Sequence, residues 1–181
     1  MSLEQPGLKH YHVLPKLLQA HRVQRFAEIG VWNGTFAKNM LRQVGCYLDQ
    51  YWGIDQWKAL EGDKPRAMGK LTQEQWDAKY LGVCKIMTYF PNFQVIKQDS
   101  LTAATLFPDG YFDMVYIDAS HFYEHVLADI AAWKPKVRPG GILGDHDYIN
   151  KRASLMAKKA VDEVFPEGVN TMEDMVWWVQ L

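Results

Sequence analysis

The chain has 181 residues, 48% of them hydrophobic and 23% charged, with a formal net charge of −1. That length suits one domain with a full core, here taken as 1–181, and the near-neutral balance without a Lys/Arg run argues against a nucleic-acid or membrane-surface partner. No apolar stretch approaches a membrane span, the opening Met-Ser-Leu-Glu-Gln has no signal-peptide character, and Cys46 and Cys84 stand outside any CxxC pattern, so buried free thiols and a cytoplasmic location are expected.

In chain order, residues 1–23 form an N-terminal helical segment in which Tyr11 to His21 carries Leu14, Leu17 and Leu18 on one face. His10 and His12 are expected to be solvated surface. The strand Arg25–Ile29 then runs into Gly30-Val31-Trp32-Asn33-Gly34, and a helix begins near Thr35. That helix puts Phe36, Ala37, Met40, Leu41 and Val44 on one face before Gly45 stops it. Such a strand–glycine turn–helix junction offers free N–H groups and a positive helix end to a ligand close to the main chain. A side chain at Gly30 or Gly34 would obstruct the approach. Glu28 would repel a diphosphate and welcome a cation or a hydroxyl. A nucleoside cofactor without phosphates, such as S-adenosylmethionine, fits that turn.

Tyr51-Trp52-Gly53-Ile54-Asp55 reads as a second strand ending in an acid, and Asp55 lies 21 residues beyond Gly34. An acid about 20 residues after the glycine turn reaches a nucleotide ribose. The polar stretch that follows contains Gly62, Asp63 and Pro65, and residues 56–92 are the natural acceptor-binding lid. Thr72-x-x-Gln75 is a capping box opening a helix with Trp76, Tyr80, Cys84 and Met87. Phe93–Lys97 alternates and ends at Gln98-Asp99-Ser100, where Asp99 also serves as an ordinary helix N-cap. After the turn Pro108-Asp109-Gly110, the strand Tyr111–Asp118 ends in another acid, and Ser120 can cap the next helix. Arg138-Pro139-Gly140-Gly141 is expected to turn the chain into Ile142-Leu143-Gly144, followed by Asp145-His146-Asp147. A last helix carries two apolar rows, Met156, Ala160, Val164 and Ala157, Val161, Phe165, ahead of two terminal strands joined at Glu173-Asp174.

This alternation predicts an α/β fold: a doubly wound, mostly parallel seven-stranded sheet with a C-terminal antiparallel hairpin. Ligands of such sheets bind at the carboxyl ends of the strands. Glu28, Asp55, Asp99, Asp118 and the Asp145–Asp147 cluster all fall there.

Glu28-Ile-Gly30-x-x-x-Gly34, Gly53-Ile-Asp55-x-Trp57, Gln98-Asp99-Ser100 and Tyr116-Ile-Asp118-Ala-Ser-His121-x-Tyr-Glu124 resemble the successive motifs of class I S-adenosylmethionine-dependent methyltransferases. Pro139-Gly-Gly141-Ile-Leu-Gly-Asp-His146-Asp147-Tyr148 and Ala160-Val-Asp-Glu-Val extend the match, and the second half resembles the small-molecule, sugar- and antibiotic-tailoring O-methyltransferases. The resemblance implies a Rossmann-like methyltransferase fold in which Glu28, Gly30 and Gly34 cradle the methionine moiety and sugar. Asp55 would take the ribose hydroxyls, and Asp99 with Ser100 would sit at the adenine. Trp32 departs from the pattern, standing where many relatives have glycine. Trp57 either covers the adenine or shields the core edge.

O-methylation needs an acceptor hydroxyl in line with the sulfonium methyl and a base or cation to draw off its proton. His121, His146 and Asp118 are the catalytic candidates, with Asp118 also at the cofactor. A metal is the competing device, with Asp118, His146 and Asp147 as ligands. Hard cations prefer oxygen, so the imidazole weakens a magnesium reading and leaves room for a softer metal. A base is therefore favoured over a divalent metal. The partner is a small-molecule acceptor, and a homodimer is one way for so small a chain to enclose its site. Two rivals stand beside this reading: a nicotinamide-dinucleotide oxidoreductase, whose turn should read Gly-x-Gly-x-x-Gly, and a cofactor-binding module without turnover.

Overall fold

The computed structural model describes residues 9–59, 68–148 and 154–181. Helix α1 (His10–Ala20) precedes β1 (Arg25–Ile29), α2 (Thr35–Val44), β2 (Gln50–Asp55), α3 (Gln73–Met87) and β3 (Phe93–Lys97). Then come α4 (Ser100–Ala104), β4 (Phe112–Ile117), α5 (Tyr123–Trp133), β5 (Val137–Asp145), α6 (Ser154–Val164), β6 (Asn170–Thr171) and β7 (Trp177–Gln180). The strand order is β3-β2-β1-β4-β5-β7-β6. The first five strands run parallel, and β7 pairs antiparallel to both β5 and β6. This is the expected Rossmann-like seven-stranded sheet with its C-terminal hairpin.

Helices cover both faces. Leu14, Leu17 and Leu18 of α1 pack with the apolar rows of α2 and α3 over one face, around Phe26, Tyr51 and Met114. On the other face α4, α5 and α6 close over Ala27, Ile29, Val115 and Leu143. All six residues of β4 are buried, as a central parallel strand covered on both sides requires. The capping box at α3 forms in full, with Gln75 N–H donating to the Thr72 hydroxyl and Thr72 N–H to the Gln75 side chain. Among the described residues no helix is long and apolar enough to cross a membrane.

Local readings are corrected in several places. Arg138–Gly141 is part of β5, not a turn ahead of it: the ladder jumps from Phe112–Val137 to Met114–Ile142, and the extra residues bulge out. Gly140 adopts φ +75°, and a Cβ on Gly141 would sit 2.7 Å from the Asp113 carbonyl oxygen, so the glycine pair serves the bulge. Helix α5 starts at Tyr123 with Phe122 as its N-cap; Ser120 lies two residues upstream and accepts from Phe122 N–H and meets His125 instead. Gly45 does end α2, in a right-handed conformation that leads into a short 3₁₀ turn. Of the two expected rows on α6 only Met156 is exposed; Ala157, Ala160, Val161 and Phe165 are buried and Val164 packs against them. Cys46 is exposed, not buried, and Cys84 is half-buried; both are unpaired. Of the expected lid, 60–67 lies outside the described residues, while α3 packs into the core through Trp76, Val83 and Ile86.

Candidate functional site

Strand β1 has β2 on one side and β4 on the other, so the sheet's connections reverse direction there and leave a crevice at the carboxyl ends. A cavity of about 310 Å³ occupies it. Gly30 and Trp32 of the first turn, Asp55 after β2, Asp99 to Leu101, Asp118 to His121, Asp129 of α5 and Trp76 of α3 form its walls.

Gly30 is where the ends of β1 and β4 nearly touch. Its φ is +99°, and a Cβ would lie 2.1 Å from the Asp118 carbonyl oxygen. The glycine is thus required by the protein's own backbone before any ligand enters. Asp55 holds the first turn in shape: Oδ2 accepts from Trp32 N–H at 2.7 Å and Oδ1 from Trp57 N–H at 2.8 Å. Burial raises the Asp55 pKa, and those backbone donors oppose the rise. Trp32 takes the left-handed region itself, with φ +49°, so it occupies a conformation that glycine would adopt at less cost. Trp57 is fully buried, donates its indole N–H to the Trp32 carbonyl at 2.7 Å and packs on Tyr80, so it is core.

Asp99 caps α4 by accepting from Thr102 N–H at 2.9 Å, and the hydrogen bonds from Thr102 lower its pKa. The Ser100 hydroxyl accepts from the Trp133 indole N–H at 2.8 Å and donates to Asp129 Oδ1 at 2.5 Å. Ser100 therefore braces the wall with a hydroxyl already engaged. Burial pushes Asp129 up to about 6. Asp129 was not singled out from the sequence, though a signal existed: it is an acid within the buried row Val126, Asp129, Ile130, Trp133. Trp76 also lines the cavity, and its buried indole N–H finds no acceptor among the described residues.

Two expected cofactor residues lie off this wall. Glu28 is 1% exposed beneath the turn and accepts from the Tyr51 hydroxyl at 2.6 Å. Burial drives its pKa well above the usual carboxylate range. Gly34 begins α2 with φ +74°, and a Cβ there would press on Ile86 and Val83 of α3. Its smallness serves helix packing.

Past the ends of β4 and β5 the polar residues converge. His121 lines the cavity, with Nε2 3.3 Å from Asp147 Oδ2, while its buried Nδ1 meets no hydrogen-bond partner among the described residues. His146 Nδ1 lies 3.9 Å from Asp118 Oδ1 and 3.4 Å from Asp147 Oδ1, so the three expected metal ligands do meet at His146. Asp145 beside them is buried, and burial together with the Asp118 charge raises its pKa well above the ordinary value. His12 is exposed as expected, but His10 is not solvated surface. Its backbone N–H donates to Asp174 Oδ2 at 2.6 Å, and its ring lies 4.7 Å from the His146 ring. Burial lowers the His10 pKa against the pull of Asp118. The sequence carried a cue, since His10 continues the buried stripe Val13, Leu14, Leu17, Leu18 at helical spacing.

The sequence profile of a family described as "Methyltransferase domain" matches residues 27–148. No curated protein matches the chain. Among solved structures, the O-methyltransferase NovP superposes with a TM-score of 0.64 at 18% identity, covering 94% of this chain and 77% of its own. A Staphylococcus aureus protein assigned as a caffeoyl-CoA O-methyltransferase reaches 0.65 at 13% identity, covering 98% and 87%. The precorrin 8W decarboxylase of Methanobacterium thermoautotrophicum reaches 0.61 at 13%, covering 97% and 93%. At such identities the likeness is one of fold.

Proposed function

Because this chain belongs to the methyltransferase-domain family, an S-adenosylmethionine-dependent class, we propose that it methylates an oxygen of a small-molecule acceptor with His121 as the base. The observation that carries the reading is His121 on the cavity wall, with its Nε2 3.3 Å from Asp147 Oδ2. An imidazole beside a carboxylate is suited to take a proton near neutral pH, because the carboxylate stabilises the charged ring. His146 does not line the cavity, so it is the weaker candidate base.

The cavity suits the cofactor. Asp55, Asp99, Asp118 and Asp129 make its wall acidic, which favours the sulfonium and ammonium charges of S-adenosylmethionine and opposes the diphosphate of a nicotinamide dinucleotide. Asp55 would accept the ribose hydroxyls and Asp99 would sit at the adenine end. Bound there, S-adenosylmethionine would supply an electrophilic methyl on sulfur, with S-adenosylhomocysteine as the second product. His121 would take the proton of the acceptor hydroxyl as that oxygen is methylated, and Asp147 would stabilise the resulting imidazolium. Magnesium does not fit the His146 cluster, because a hard cation demands oxygen donors and two imidazoles stand there.

Calorimetry with S-adenosylhomocysteine and NAD side by side tests the cofactor, and an acceptor screen for S-adenosylhomocysteine release tests turnover. With an acceptor in hand, His121→Ala should lower kcat by ~10²–10⁴ with cofactor affinity nearly unchanged. NAD binding in place of S-adenosylhomocysteine, or full turnover in His121→Ala, would refute the reading.

A further inference from the structure

We propose that His10, Asp118 and His146 bind a divalent first-row transition metal, with Asp174 as the carboxylate that orients both imidazoles. The three ligands come from the start of α1, the end of β4 and the end of β5, and each can present one ligating atom within 4.8 Å of the others. His10 Nε2 is 4.0 Å from Asp118 Oδ2, and His146 Nδ1 is 3.9 Å from Asp118 Oδ1. Ligands bound at ~2.0–2.2 Å to one ion stand roughly 3–4 Å apart, so small side-chain adjustments complete the set.

Asp174 makes the cluster more than a collection of polar groups. Its Oδ2 lies 3.1 Å from His10 Nδ1 and 3.7 Å from His146 Nε2. In each ring that is the nitrogen opposite the one facing Asp118. The carboxylate is in hydrogen-bond reach of His10 Nδ1 and stands beside His146 Nε2, so a short closing movement would let it accept from both rings and turn both inner lone pairs toward a common point. This is the outer-shell arrangement that accompanies metal-bound histidine. Two imidazoles and one carboxylate, with further coordination positions left open, suit mid-row transition metals and not magnesium.

Charge argues the same way. Among the described residues no Lys or Arg pairs with Asp118 or Asp174, and buried Asp145 lies close enough to Asp118 for mutual repulsion. A bound cation would compensate carboxylates that no Lys or Arg among the described residues reaches. It would also tie α1 and the β6–β7 turn to the strand ends, so binding should stabilise the fold by mass action. The proposal does not depend on methyl transfer.

The test uses the intact protein, stripped with chelator and titrated with Zn²⁺, Co²⁺ and Mg²⁺. We expect one equivalent of Zn²⁺ or Co²⁺ at roughly micromolar affinity or better, a raised melting temperature, and a Co²⁺ visible spectrum indicating nitrogen ligation. Mg²⁺ should neither bind tightly nor compete. His10→Ala, or His10→Gln if the first variant folds poorly, should weaken Zn²⁺ binding at least as much as loss of the outer-shell Asp174 in Asp174→Ala, for which ~10–100-fold is expected. Substoichiometric Zn²⁺ and Co²⁺ binding, wild-type affinity in folded His10 variants, or equal preference for Mg²⁺ would overturn the proposal. S-adenosylhomocysteine titrated into the same samples separates the two readings: its failure to bind alongside normal metal binding refutes the methyl-transfer reading alone.

Discussion

Replacing Asp129 with Asn removes a buried charge while keeping an oxygen for the Ser100 hydroxyl. Burial raises the Asp129 pKa from 3.8 to about 6, even though the Ser100 hydrogen bond pulls it down. The folded state therefore holds a proton more tightly than the unfolded chain does. Its stabilising contribution is complete below the unfolded value and is lost as pH rises through the folded one. At roughly 1.4 kcal/mol per unit, a shift of about 2 units makes ionised Asp129 cost about 3 kcal/mol at neutral pH. Asp129→Asn should accordingly be more stable than the parent at pH 7.5 by about 1–3 kcal/mol, the lower bound reflecting the charge-assisted bond it gives up. Near pH 4 the two proteins should unfold together. Urea midpoints at pH 4.5, 6 and 7.5, with the slope unchanged, read the difference. A variant less stable at pH 7.5, or an offset independent of pH, would refute the placement of an ionised carboxylate in that wall.

Asp55→Ala should weaken S-adenosylhomocysteine binding by roughly 1.5–3 kcal/mol, the scale of a hydrogen bond to a charged group, and an unchanged dissociation constant by calorimetry counts against the ribose assignment. Glu28→Gln should leave that affinity within about twofold and stability within about 1 kcal/mol, because burial already favours the neutral acid and an amide oxygen can accept from Tyr51. A large loss of affinity would restore Glu28 to the cofactor's charge environment. Gly30→Ala puts a Cβ 2.1 Å from the Asp118 carbonyl, so the unfolding free energy should fall by about 3 kcal/mol or more, and a near-parental melting temperature would show that the strand ends separate easily.

Much of this protein was legible one element at a time. Alternation and apolar runs specify β1 to β5, because parallel strands covered on both faces need continuous hydrophobic character. Thr72 and Gln75 announce the start of α3, and acids at successive strand ends mark the edge where the cavity opens. Local chemistry settles such features, since each depends on neighbours a few residues away. The site's inner arrangement depends on contacts across the chain. His10 meets Asp174 from 164 residues away, and Asp147 meets His121 only because β5 lies beside β4. Helical periodicity buries the position of His10 without naming what it will face. Glu28 shows the converse: its place near a strand end suggested a ligand contact, but strand alternation turns the side chain under α2 toward Tyr51. Periodicity determines which face of an element is covered, and only the packing of the N-terminal helix and the C-terminal hairpin turn against one sheet edge determines which polar groups meet there.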